Sequence, residues 1–234
     1  MQAIILAGGL GTRLRPYTYV LPKPLLPVGE SPILEIILRQ LASQNFSRVT
    51  LAVNHQADLI KSYFGNGEKW NIEICYSFEH TPLGTMGPLR LISELPPNFL
   101  VMNGDILTDL NFRALYQDHV QSSRLFTIAS ATREHVNDYG VLTTEGADLI
   151  GFDEKPTSTF QVSMGVYILN RRIIEQIPED SVFGFDNLML ALLQKNQKIH
   201  VHRHTGYWLD IGRPDDYERA VEEIDYLKTR IFND

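Results

Sequence analysis

A single cysteine, Cys75, stands among 234 residues. That excludes a disulfide framework within the chain and a cysteine-ligated metal cluster. The role left to Cys75 is that of a small core residue. No apolar run approaches the ~20 residues that a membrane-spanning helix needs, so no membrane association is expected. No block of lysine and arginine is present and the net charge is −7, so nucleic acid is not an expected partner. No repeat, linker or low-complexity segment interrupts the chain. The first apolar run begins almost at Met1, which leaves no expected room for a signal peptide. A soluble, cytoplasmic protein is the expectation. With 44% hydrophobic and 21% charged residues, 1–234 is read as a single domain with a full core. Self-association into a homo-oligomer is left open.

What is present is concentrated near the start. Ala3 to Leu6 is an apolar run without turn residues, read as a buried strand. It runs directly into Ala7-Gly8-Gly9-Leu10-Gly11-Thr12-Arg13-Leu14-Arg15-Pro16. Glycines let backbone approach a ligand closely, and their N–H groups can point at phosphate oxygens. Arg13 and Lys23 add fixed positive charge to the same loop. Ser31-Pro32 then reads as a helix start, Ser31 as cap and Pro32 at the first helical position. A tight turn is the bland alternative. A dinucleotide fingerprint fails because Leu14 holds the place of its third glycine and the connection to the next helix is too long. A Walker loop fails because no lysine precedes Thr12-Arg13.

Further along, apolar periodicity alternates between strand and helix. Helices are expected over 33–46, 57–64, 88–95 and 111–120, with strands over 48–54, 72–78 and 99–102. Such alternation argues for an α/β fold: a Rossmann-like, mostly parallel sheet covered by helices on both faces. The second half changes character. Strands are expected over 125–131, 140–144, 149–153 and 162–169, with Thr144-Glu145-Gly146 as a hairpin turn, forming a small antiparallel subsheet. Asp186 reads as the cap of a helix to Leu193, 198–204 as a strand, and Pro214 as the opening of a last helix.

Several residues in this pattern suit chemistry. Asp105 follows a buried strand directly, and ligands gather at strand carboxyl ends in open α/β sheets. A helix cap or turn aspartate is the alternative there. Asp210 is a second carboxylate in an apolar setting, and Mg²⁺ takes one or two carboxylates plus phosphate oxygens and waters. An ionised Glu79 can only accept hydrogen bonds, which suits the two adjacent N–H donors on one edge of guanine. Uracil and thymine present one donor between two acceptors. His200, His202 and His204 alternate along one strand face. A half-exposed strand face is favoured there over a transition-metal site.

Taken whole, Gly8-Gly9-x-Gly11-Thr12-Arg13-Leu14-x-Pro16 followed by Pro22-Lys23-Pro24-Leu25-x-Pro27-Val28 resembles the sugar-1-phosphate nucleotidyltransferases. The resemblance runs from Ala3 to Tyr217. It implies transfer of a nucleoside monophosphate from a nucleoside triphosphate to a sugar 1-phosphate, releasing pyrophosphate. It also implies Mg²⁺ on Asp105 and Asp210. Nucleotide contacts are implied at Leu6, Ala7, Gly8, Gly9, Gly11, Thr12 and Arg13. The segment with Glu79, Pro82, Gly84 and Thr85 is similar to that of the mannose-1-phosphate guanylyltransferase branch, so GTP is the favoured triphosphate. The acceptor is implied at Lys23, Gly140, Glu154, Lys155 and Ser163. Arg13, Lys23, Asp105, Lys155 and Asp210 form the implied catalytic set. Ser163 stands where many members carry asparagine, which leaves the sugar open. Tyr17 and Arg213 are milder departures. The alternatives are a UTP- or dTTP-using enzyme and a non-catalytic regulatory subunit on the same fold.

Overall fold

Ala3, Ile4 and Ile5 are all buried, as a strand covered on both faces requires. They form the middle of β1 (Gln2–Leu6) in the computed structural model, which describes residues 1–54, 56–179 and 181–232. A short antiparallel pair follows, β2 (Pro27–Val28) and β3 (Ser31–Pro32), then α1 (Ile33–Ser43), β4 (Arg48–Val53), α2 (Ala57–Phe64) and β5 (Glu73–Phe78). Next come β6 (Asn98–Asn103), β7 (Ile106–Thr108), α3 (Phe112–Gln121), β8 (Phe126–Val136), β9 (Val141–Glu145) and β10 (Asp148–Asp153). The chain continues through β11 (Thr157–Asn170), α4 (Phe185–Gln194), β12 (Ile199–His204), β13 (Trp208–Asp210) and α5 (Pro214–Phe232).

The main sheet has seven strands in the order β12-β8-β11-β6-β1-β4-β5. Only β11 runs against the others. Side chains alternate across β1, so Ala3 and Ile5 enter one core and Ile4 the other. The first core receives α1, α2, α3 and α5 through residues such as Ile37, Phe64, Leu115 and Ile224. The second receives α4 through Leu188 and Leu192. Helices therefore cover both faces, as the periodicity predicted. The glycine-rich loop leaves β1 at its carboxyl end, between β4 and β6.

Three local expectations are corrected. The helix expected over 88–95 is only a single 3₁₀ stretch, Gly87–Leu91. Pro96 and Pro97 lie too close to leave two full turns, because the residue before a proline is driven out of helical backbone. The helix after Ser31 begins one residue late: Pro32 is its extended cap residue, and Ser31 pairs in β3. Asp186 does not cap α4. Gly184 occupies that position, and the Asn187 side chain accepts from its N–H at 2.9 Å. The hairpin at Thr144-Glu145-Gly146 forms as expected between β9 and β10, with Gly146 in left-handed backbone.

Beyond the core, β8 and β11 extend together as a long antiparallel ribbon, with the β9–β10 hairpin at its far end. Every residue from Thr132 to Val136 is exposed, and so is most of the hairpin. This ribbon forms an arm beside the carboxyl edge of the sheet.

Candidate active site

The glycine-rich loop is fastened by backbone on both sides where it leaves β1. The Ala7 N–H donates to the Ala52 carbonyl at 2.8 Å, and Gly104 N–H donates to the Leu6 carbonyl at 3.0 Å. A side chain at Gly104 would bring a Cβ to 3.1 Å from that Leu6 oxygen, so the close approach of the two strand ends favours glycine. Gly11 sits at φ +61°, and its carbonyl accepts the Thr18 hydroxyl at 2.7 Å. The Asn54 side-chain amide donates to the Gly8 carbonyl. Single 3₁₀ turns at Thr12–Leu14, Tyr17–Tyr19 and Lys23–Leu25 then fold the loop back on itself. That return buries Lys23 beneath the loop, where it pairs with Asp105.

Cavities meet at this point. One of about 470 Å³ lies between the loop and the segment after β5, lined by Gly8, Gly9, Glu79, Gly84, Thr85 and Asp105 among others. A second, about 320 Å³, is lined by Gly11, Thr12, Arg13, Lys23 and Asp105. A third, about 300 Å³, is lined by Asn103, Arg133, Ser163, Trp208 and Asp210. Asp105 borders the first and second, and Asn103 borders the first and third. Leu6 and Pro82 line the first, while Ala7 is buried behind it.

The two aspartates come together through a short ladder. β13 pairs antiparallel with β7, setting Asp210 opposite Ile106, and Ile211 N–H donates to the Asp105 carbonyl at 3.1 Å. Burial, and then the neighbouring Asp105, push the Asp210 carboxyl above the ordinary carboxylate range; Lys23 and Arg13 oppose that shift. The Arg13 guanidinium rests against Gly212, beyond Asp210. Lys23 takes one oxygen of Asp105. The other, Oδ1, is buried without a hydrogen-bond partner. A buried carboxylate oxygen left bare beside a second carboxylate is a costly arrangement for the protein alone. It fits a hard divalent cation that takes few carboxylates and completes its shell with water and phosphate oxygens. Among the described residues, no group of three or more His, Cys, Asp or Glu side chains could hold a metal. On the histidine strand, His204 Nε2 lies 2.9 Å from Asp109 Oδ1, and Arg230 binds the other oxygen of Asp109 at 2.5 Å.

Glu79 reaches the glycine-rich loop from the far wall of the first cavity, its Oε1 beside Gly8. Burial raises its pKa, and a bond from the Leu83 N–H works the other way. Thr85 has a role the sequence did not reveal. Its hydroxyl oxygen accepts the Phe185 N–H at 2.8 Å and so caps α4 from a hundred positions away.

The residues implied for the acceptor fall in three places, with Lys23 lining the second cavity. Ser163 lines the third cavity, with its hydroxyl donating to Tyr167 Oη at 3.1 Å. Gly140, Glu154 and Lys155 lie together on the arm but line none of these cavities. Between Ser163 and the start of β11 at Thr157 lies about 20 Å of extended strand, at about 3.3 Å per residue. Sequence reasoning did not assign Asn54, Asn103, Arg133 and Trp208 as cavity-lining residues; Asn103 and Trp208 flank Asp105 and Asp210 in the segments that carry the resemblance, whereas Asn54 and Arg133 carry no local signal.

Comparison with known proteins agrees with this architecture. The nucleotidyl transferase family profile matches residues 2–226. D-glycero-alpha-D-manno-heptose 1-phosphate guanylyltransferase of Aneurinibacillus thermoaerophilus is 35% identical over 97% of this chain and 99% of its own. The UTP--glucose-1-phosphate uridylyltransferase of Synechocystis is 31% identical over 96% of this chain, which spans 63% of that longer protein. The mannose-1-phosphate guanylyltransferase catalytic subunit beta of Drosophila pseudoobscura is 35% identical over 92% of this chain, which spans 60% of it. Among solved structures, HddC from Yersinia pseudotuberculosis superposes with a TM-score of 0.75 at 29% identity, covering 95% of this chain and 99% of its own. The same protein has been crystallised complexed with GMP-PN. With its glycine-rich loop, paired aspartates and matching profile, the chain belongs to the nucleotidyl transferase family, among the sugar-1-phosphate nucleotidyltransferases.

Proposed function

We propose that this protein transfers a guanylyl group from GTP to a sugar 1-phosphate, giving a GDP-sugar and pyrophosphate, with Mg²⁺ held by Asp105 and Asp210. The observation that carries the reading is the bare, buried Oδ1 of Asp105 beside Asp210, where the cavities meet between Lys23 and Arg13.

The base occupies the cavity of about 470 Å³, with Glu79 accepting from its edge. Backbone N–H groups of Gly8 to Thr12 face the triphosphate, and Arg13 lies where charge builds on the departing pyrophosphate. An oxygen of the acceptor phosphate attacks the α-phosphorus in line. The bond to the β-phosphate oxygen breaks, and pyrophosphate leaves with the electron pair. No serine, cysteine or histidine nucleophile is required, since the acceptor already carries one. The chain's work is positioning and charge neutralisation. Lys23 holds Asp105 in place and adds positive charge beside the reacting phosphates. When bound, Mg²⁺ supplies Lewis-acid neutralisation of the phosphate oxygens. Gly140, Glu154 and Lys155, together on the arm, are given the sugar-side role that the resemblance implies.

Support for GTP comes from Glu79 and from the guanylyltransferases that this chain resembles. UTP is the second reading, favoured by the 31% identity to a uridylyltransferase. Pyrophosphate release, measured for GTP, UTP, dTTP and ATP against several sugar phosphates, tests both. Highest kcat/KM with GTP is the expected result. No release with any pair would overturn the transferase reading.

A further inference from the structure

We infer that Arg133 is the residue that grips the phosphate of the acceptor, in the cavity of about 300 Å³ beside Asp210. This rests on the transferase reading above and names a contact that the family-like motifs do not include.

Arg133 lies on β8, opposite Phe160 of β11, where the ribbon leaves the core. Among the described residues it is the only cation lining that cavity, which it shares with Asn103, Ser163, Trp208 and Asp210. Among the described residues it forms no salt bridge. Its guanidinium carbon stands 5.9 Å from the centre of the Trp208 ring, and the Trp208 Nε1–H is fixed by the Met164 carbonyl at 3.1 Å. The side chain is thus directed along a wall of the cavity and keeps its N–H donors unused by any carboxylate.

A phosphate monoester is close to a dianion at neutral pH, and it enters a cavity whose other charged group is an aspartate. Mg²⁺ on Asp210 would neutralise one side of such an anion, and a side left facing the cavity wall without a cation is costly. The other basic residues of the implied set serve elsewhere. Lys23 is paired with Asp105 under the glycine-rich loop, and Arg13 lines the neighbouring cavity beside Gly212. Lys155 lies beyond about 20 Å of extended strand. The planar guanidinium matches two phosphate oxygens at once, which an ammonium cannot do.

The test uses the full chain and two readouts. In the first, mannose 1-phosphate, glucose 1-phosphate and free mannose are titrated while tryptophan emission is followed, with Trp208→Phe identifying the responding ring. In the second, KM for the sugar 1-phosphate and for GTP is measured in Arg133→Gln and Arg133→Lys. The expected result is a saturable emission change with the phosphates and none with free mannose. Arg133→Gln weakens phosphate binding and raises the acceptor KM by about ten- to a hundredfold. Arg133→Lys recovers part of this, and KM for GTP stays the same in both. Unchanged acceptor binding and KM in Arg133→Gln overturns the inference while leaving the transferase reading intact. Equal loss in both variants together with a raised KM for GTP also overturns it, as a structural effect. Arg133-dependent phosphate binding without pyrophosphate release from any triphosphate supports this inference and refutes the transferase reading.

Discussion

Asp105→Asn separates what Asp105 does for the fold from what it does for chemistry. The substitution keeps shape and removes the negative partner of Lys23. The side chains are 10% and 22% exposed, so the pair is largely withdrawn from water. Deleting one partner of a buried pair costs about 3–5 kcal/mol. Two effects reduce that figure. The asparagine carbonyl can still accept from the ammonium, and a hydrogen bond to a charged group is worth about 1.5–3 kcal/mol. Asp210 also loses the like charge that helps raise its pKa. The net loss is then about 1–2 kcal/mol, a fall in Tm of roughly 2–8 °C for a chain of this size. The variant therefore folds.

Its activity and its response to metal should differ far more. Mg²⁺ at a hundred times its Kd stabilises the native state by about 2.7 kcal/mol. That is a rise in Tm of roughly 5–11 °C, expected for the unsubstituted protein and absent in Asp105→Asn. Pyrophosphate release should fall at least about 10²–10³-fold, the loss typical of one preorganised charge-stabilising group. Thermal melts with and without Mg²⁺, beside the release assay, read both effects. A variant that keeps near-normal Mg²⁺-dependent turnover would refute the metal assignment, whatever its Tm. The pH dependence provides a further check. A carboxyl raised in the folded state favours the protonated native form, so stability declines as pH rises from its ordinary pKa to the raised one. Asp105→Asn should flatten that decline, because one cause of the shift is gone.

Arg13→Ala should lower kcat by about 10²–10³-fold with little change in sugar-phosphate KM; a normal kcat with only that KM raised would discard its role at the leaving group. Glu79→Gln should reduce the GTP-over-UTP ratio of kcat/KM by about one to two decades. An unchanged ratio would move base reading to backbone near Gly84. His119 is fully buried, with Nδ1 2.8 Å from the Thr127 hydroxyl, and burial lowers its pKa to about 4. Its neutral form is thus favoured in the fold. Stability should be full above about pH 6.5 and fall by about 3 kcal/mol as pH drops toward 4, a loss that His119→Gln should remove from urea denaturation curves.

How far the sequence speaks depends on how local each feature is. Ala3 to Leu6 declares a buried strand because its own side chains must be covered on both faces. The loop after it is legible as a candidate anion site because glycine and arginine act through their own backbone and charge. Asn111 declares a helix start because its side chain reaches the Ala114 N–H at 2.8 Å within the same turn. Where the partner is distant, the signal fails. Asp186 has the chemistry of a cap, yet α4 starts earlier because Phe183 and Phe185 are tied to the segment around Thr85 and Gly87. The stretch over 88–95 has helical composition, and the same ties together with two prolines hold it to one short 3₁₀ stretch.

The same distinction runs through the candidate site. Its nucleotide half is built largely from one contiguous loop and the segment from Glu79 to Thr85, so it can be read along the chain. Its acceptor half is assembled from β6, β8, β11 and β13, with β11 giving the largest share of the wall, from Val162 to Tyr167. Such a wall leaves no spacing to recognise: Arg133 is one exposed residue on an alternating strand until β13 brings Trp208 and Asp210 beside it. Ser163 sits where β11 breaks register with β8 before Tyr167, so the wall's shape depends on an irregularity that no periodicity reports. On the proposed reading, acceptor choice rests on long-range pairing in this half, whereas triphosphate choice rests on Glu79. Swapping residues at 133 and 163 should alter acceptor preference while leaving the glycine-rich loop and its triphosphate contacts as they are.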